Sequence, residues 1–125
     1  MLIATLCSVL VIHSLTLLTQ SVFAGQFLSG TDGIVKFHEW GGWLILAVCA
    51  LQIGLAAVLM RFGAASWWLL IGSVFVLLAE ALQTGTGYGR FLRVHIPLGT
   101  ILFGIVSFQA ISMFRNRIRH PGIEK

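Results

Sequence analysis

Four apolar stretches, at about 2–24, 38–60, 64–84 and 95–114, leave little of this 125-residue chain outside them. A helix needs about 20 apolar residues to cross the hydrocarbon core of a bilayer, and each stretch is of that order. In lipid the backbone must satisfy its own hydrogen bonds, which makes such segments helices. The pieces between them are too short for a soluble domain. The sequence therefore predicts an all-α fold, an integral membrane four-helix bundle forming a single transmembrane domain over residues 1–125. With 58% hydrophobic and 10% charged residues, the chain has too little polar surface for a soluble globule of its size. A signal peptide is the competing reading of the first stretch, because Val22 and Ala24 in "SVFAGQ" (21–26) stand at cleavage-like positions. That stretch starts without Lys or Arg and exceeds the roughly 7–15 apolar residues of a signal core, so it reads as a retained helix.

The formal net charge is +4, and its placement argues against nucleic acid. Arg115, Arg117, Arg119 and Lys125 crowd the C-terminal tail, and Arg61 lies between the second and third stretches. Under the positive-inside rule these face the cytoplasm, which puts both termini there, in a cytoplasmic (inner) membrane. Lys36, Arg90 and Arg93 fall in the outward loops, about 25–37 and 85–94, against that rule. Trp40, Trp43, Trp67 and Trp68 fit interfacial aromatic belts. Cys7 and Cys49, 42 residues apart and without a C-x-x-C spacing, read as small buried hydrophobes rather than a disulfide or zinc pair.

The second and fourth stretches align on their histidines. His38 is followed by Gly42 after four residues and Gln52 after fourteen; His95 is followed by Gly99 and Gln109 at the same offsets. Lys36-Phe37 precedes the first histidine and Arg93-Val94 the second. More loosely, Gln20 leads to "GQFL" (25–28) and Gln83 to "GRFL" (89–92). The chain thus reads as two tandem helical hairpins, about 1–62 and 63–125, related by a pseudo-twofold axis along the membrane normal, as in repeat-built membrane proteins. That symmetry places His38 and His95 at one depth, near the outer surface.

Ionisable groups inside spans are costly and mark function. Two imidazoles related by a twofold axis are what a planar metallocofactor with two axial ligands needs, and haem iron takes one on each face. Gly42 and Gly99 lie one helical turn from the histidines on the same face. A missing side chain there lets a flat macrocycle approach the helix; close helix packing is the alternative. Lys36, Arg90 and Arg93 would pair with haem propionates, or else snorkel to lipid headgroups. A bare zinc or iron ion is less well supplied, since it wants Cys, Asp or Glu at the same level. Glu39 points about 100° away from His38 on a helix.

"FHEWGG" (37–42) and "LRVHIPLG" (92–99), opening the second and fourth spans of a four-helix unit, resemble the half-bundle of haem A synthases and their relatives. Those proteins are built from two such halves, each with a histidine pair on its second and fourth helices. The resemblance implies that His38 and His95 are haem ligands and favours a b-type haem. It does not carry over the oxygenase activity, because this sequence supplies one half and one histidine pair. Where the family's first outer loop bears a glutamate important to its reaction, this loop has Asp32 and reaches a glutamate only at Glu39.

Other polar residues stand apart from that pair. His13, mid-span near Ser14 and Thr16, reads as a hydrogen-bonded interior histidine, with a second cofactor ligand or a proton relay as the alternative. Glu80 suits proton delivery or a quinol hydroxyl, or else pairs with Arg90 or a partner subunit. Gln20, Gln52, Gln83 and Gln109 read as hydrogen-bonding glue between helices. "TGTGYGR" (84–90) lacks the strand and lysine of a phosphate loop and reads as a tight outer turn beside the cofactor. No Ser-His-Asp arrangement is placed for hydrolysis.

The leading expectation is a small membrane b-type cytochrome, holding one bis-histidine haem near the outer face for electron transfer with a quinol or a partner protein. It would be an electron-transfer or accessory subunit rather than a stand-alone enzyme. The rival is a non-catalytic structural or assembly subunit of a larger membrane complex, whose histidines contact lipid, a neighbour or a chlorophyll-type pigment. Both readings imply the lipid bilayer and partner membrane subunits, or further copies of the chain, as partners. A small transporter built on Glu80 and His13 ranks third, because nothing else polar lines a path.

Overall fold

A computed structural model describes residues 1–119, which form four helices: α1 (Leu2–Leu28), α2 (Ile34–Arg61), α3 (Trp67–Tyr88) and α4 (Leu92–Arg119). Lys125 of the basic tail lies outside the described residues. All four helices are long and apolar enough to cross a membrane. α1 packs on α2 and α4, and α3 packs on the same two. The helices therefore follow one another around a ring, with α1 opposite α3 and α2 opposite α4.

The connections are shorter than the sequence pattern suggests, because the helices extend past their apolar stretches. Gly63, at φ 69°, closes α2. Its N–H reaches the Met60 carbonyl, and that of Ala64 reaches Leu59, which satisfies the last turn as a Schellman-type cap. Ser66 then starts α3, its Oγ accepting from the Leu69 N–H at 3.3 Å. At the opposite end, Arg90 holds the left-handed position that ends α3, with φ 56°. Its N–H reaches Gly87, and that of Phe91 reaches Thr86. A side chain in that conformation costs roughly 1–2 kcal/mol.

"TGTGYGR" is not a turn. Thr84 to Tyr88 continue α3, and residues 89–91 alone make the connection. The Thr84 and Thr86 hydroxyls donate to the Glu80 and Gln83 carbonyls, each at 2.9 Å. Glycine is a poor helix former, and tertiary packing overrides that here. A Cβ on Gly87 would stand 2.8 Å from Cε1 of His95, so the missing side chain admits the histidine of α4.

Two apolar layers fill the bundle. Ile3, Leu6, Cys7, Leu10, Leu59, Ala110 and Met113 pack at the end carrying the termini. Leu17, Ile45, Cys49, Val76, Leu102 and Val106 pack further along the axis. Both cysteines are buried and unbridged, as the spacing suggests. The outside is apolar as well: Leu15, Leu51, Phe75 and Phe108 are all more than half exposed. A surface of that kind suits lipid as its solvent. Trp40 and Trp43 are exposed toward the histidine end, and Trp67 and Trp68 toward the other.

Candidate functional site

His38 lies in the second turn of α2 and His95 in the first turn of α4, on opposite corners of the ring. Their rings meet across the bundle with centroids 5.9 Å apart and planes at 70°. Each is met by the helix before its own. Nδ1 of His95 contacts the Gln83 carbonyl at 2.8 Å. A carbonyl can only accept, so Nδ1 carries the proton and, in the neutral ring, Nε2 keeps its lone pair for a metal. The Gln20 backbone is near His38, yet Nδ1 of His38 is buried without a hydrogen-bond partner.

The two glutamines reach further. A Cβ on Gly99 would stand 2.8 Å from Nε2 of Gln83, and a Cβ on Gly41 would fall on the Gln20 side chain. The glycines one turn beyond the histidines therefore admit glutamine side chains from α3 and α1. That differs from the expected open face at Gly99. Gly42, by contrast, has only Thr84 Oγ1, at 4.0 Å. The amide oxygens of Gln20 and Gln83 are themselves buried and unpartnered. Two orphaned amide oxygens, on α1 and α3, thus stand near the histidine pair, and Nδ1 of His38 is a third buried atom without a partner. Buried polar groups normally find partners, and these have none among the described residues. Two imidazoles meet at this level, and His95 has its Nε2 lone pair free for a metal. Lys36, Arg90 and Arg93 stand exposed at the same end, as does Asp32 in the 29–33 connection. Glu39 is exposed beside His38.

About 10 Å of helix separates Gln20 from His13 along α1, and at that depth the bundle holds a second polar cluster. Nδ1 of His13 lies 2.8 Å from Oε1 of Gln52, and Nε2 lies 2.7 Å from Oε1 of Glu80. Nε2 of Gln52 donates to Ser73 Oγ at 2.6 Å and to Gln109 Oε1 at 3.0 Å. The Ser73 hydroxyl donates to the Leu69 carbonyl at 2.8 Å. That last bond orients the rest. Ser73 has spent its one proton, so it must accept from Gln52, which turns the amide nitrogen of Gln52 toward it. The amide oxygen then faces His13, whose Nδ1 must carry a proton. One proton is left for the contact between His13 and Glu80, on either atom. The Cys49 thiol donates to the Ser73 carbonyl at 3.6 Å and neighbours the Glu80 carboxyl group. Oε2 of Glu80 has no hydrogen-bond partner.

His13 is thus the hydrogen-bonded interior histidine of the sequence reading, and Glu80 pairs with it rather than with Arg90. Gln52 and Gln109, at equivalent places in the repeat, bond to each other as glue. The sequence reading missed Cys49, whose sulfur belongs to this cluster. Its signal was the helical spacing of Cys49 and Gln52, which puts both on one face of α2. No family model, curated protein or solved structure matches the chain.

Proposed function

We propose that this protein is a small membrane b-type cytochrome in which His38 and His95 hold one haem. Its role is to pass electrons to or from a quinol or a partner protein. The observation that carries this reading is the meeting of the two histidines, 5.9 Å apart, from opposite helices of the bundle. When bound, haem supplies a one-electron iron couple. The chain's own residues bind and orient it. The Gln83 carbonyl fixes the His95 tautomer and ring direction, the role outer partners play for metal-bound histidines generally. Lys36, Arg90 and Arg93 supply positive charge at the same end, where propionates would meet water. The lipid-facing side chains keep that end in the membrane, and the haem end faces outward in this reading.

Electron transfer suits the site better than catalysis, because Glu39, the acid beside His38, is exposed rather than buried with the two rings. Glu80 and His13 are buried and bonded to each other, so a quinol would dock at the haem end rather than on them. The test is the haem content of the purified protein, by pyridine haemochrome and reduced-minus-oxidised spectra. One haem b per chain is expected. A colourless protein that still assembles with other membrane subunits would favour the structural reading instead.

A further inference from the structure

Away from the histidine pair, three helices bring together side chains with the chemistry of a metal centre. His13 of α1, Cys49 of α2 and Glu80 of α3 place an imidazole nitrogen, a thiol sulfur and a carboxylate oxygen within 4.8 Å of one another. Their residues are 0%, 0% and 2% exposed. Glu80 keeps its second oxygen buried and unpartnered. The Gln52 amide oxygen accepts from Nδ1 of His13, which leaves Nε2 as the nitrogen turned toward Glu80. An outer acceptor on one ring nitrogen and the lone pair of the other aimed inward is the usual arrangement of a metal-bound histidine.

The repeat shows that packing alone does not require these residues. Aligning Gln20 with Gln83 and His38 with His95 sets Val76 opposite His13, Leu17 opposite Glu80 and Val106 opposite Cys49. All three counterparts are buried apolar residues in one core layer. At each of these three pairs of equivalent positions the bundle therefore packs hydrocarbon on one side of the repeat and a metal-binding side chain on the other.

We propose that His13, Cys49 and Glu80 bind one divalent transition-metal cation of zinc-like character in the middle of the membrane-spanning bundle. A mixed nitrogen, sulfur and oxygen set suits such an ion. Charge balance suits the depth. The ion displaces the proton shared by His13 and Glu80 together with the Cys49 thiol proton, so two protons leave as two positive charges enter. With one carboxylate and one thiolate, the filled site is neutral, which hydrocarbon surroundings demand. The site is independent of the haem reading and stands or falls separately.

The test uses the full chain in detergent, stripped with chelator, loaded with Zn2+ and desalted. Zinc content and the zinc-edge X-ray absorption spectrum are then measured. We expect one zinc per chain with one sulfur neighbour at about 2.3 Å and nitrogen or oxygen at about 2.0–2.2 Å. Cys49→Ser should remove the sulfur signal and weaken zinc binding by at least about tenfold, whereas Cys7→Ser should change neither. The wild-type spectrum decides even where a variant fails to fold. Three results would overturn the proposal: no zinc retained, zinc bound only by nitrogen and oxygen (as His38 and His95 would bind it), or a sulfur neighbour that persists in Cys49→Ser.

Discussion

Nε2 of His13 lies 2.7 Å from Oε1 of Glu80, and the hydrogen bonds around them leave a single proton for that contact. A glutamine at position 80 can supply the same donor from its amide. Glu80→Gln should therefore cost less than about 1 kcal/mol, while Glu80→Leu, which strands a buried ring nitrogen, should cost about 1–3 kcal/mol. Unfolding in mixed micelles reads both. Equal losses would mean that the contact depends on the carboxylate charge.

Gln52 touches His13, Ser73 and Gln109, whereas Gln109 receives one bond from Gln52. Hydrogen bonds between membrane helices are worth about 0.6 kcal/mol each on average. Gln52→Leu should thus destabilise the bundle by roughly 1–3 kcal/mol, with the buried partners it abandons adding to the lost bonds. Gln109→Leu should cost less than half as much. The reverse order, in the same unfolding assay, would remove Gln52 from the centre of the cluster.

Gly99 receives the Gln83 side chain, and the Gln83 carbonyl orients His95. Gly54, where a Cβ would meet nothing within 4 Å, has no such tie. Gly99→Leu should displace Gln83 and lower haem occupancy several-fold, with Gly54→Leu close to wild type. Haem-to-protein ratios after purification measure this, and equal losses would reduce both glycines to general packing.

Much of this arrangement was legible in the sequence, for a physical reason. Apolar runs of membrane length and a repeated His, Gly and Gln spacing are local patterns, and they led to four helices and to the two histidines that meet. The misses were those of tertiary contact. Residues 84–88 look like a turn because glycine and threonine are weak helix formers, yet the His95 ring fills the space they leave. Cys49 looks like a small hydrophobe because its neighbours His13 and Glu80 come from other helices, so no spacing along the chain announces them. The sequence offers Glu80 either Arg90 or a partner subunit to pair with, and only the ring of four helices, which turns α1 and α3 toward a common interior, gives it His13 instead.

Arg90 holds a left-handed conformation that glycine adopts at no steric cost. Arg90→Gly should accordingly stabilise the protein by about 1 kcal/mol. The same change removes a positive charge at the end carrying His38 and His95, so on the proposed function it should also speed haem loss to an acceptor protein. Greater stability with unchanged haem release would confine Arg90 to lipid headgroups.

The central claim is that His38 and His95 are the two axial ligands of one iron. Electron paramagnetic resonance of the oxidised, purified protein tests it most directly, because two imidazoles produce a low-spin ferric signal. The account predicts that signal in the wild type at one spin per chain, and its loss in both His38→Ala and His95→Ala. A low-spin bis-imidazole signal that survives in either variant would contradict it.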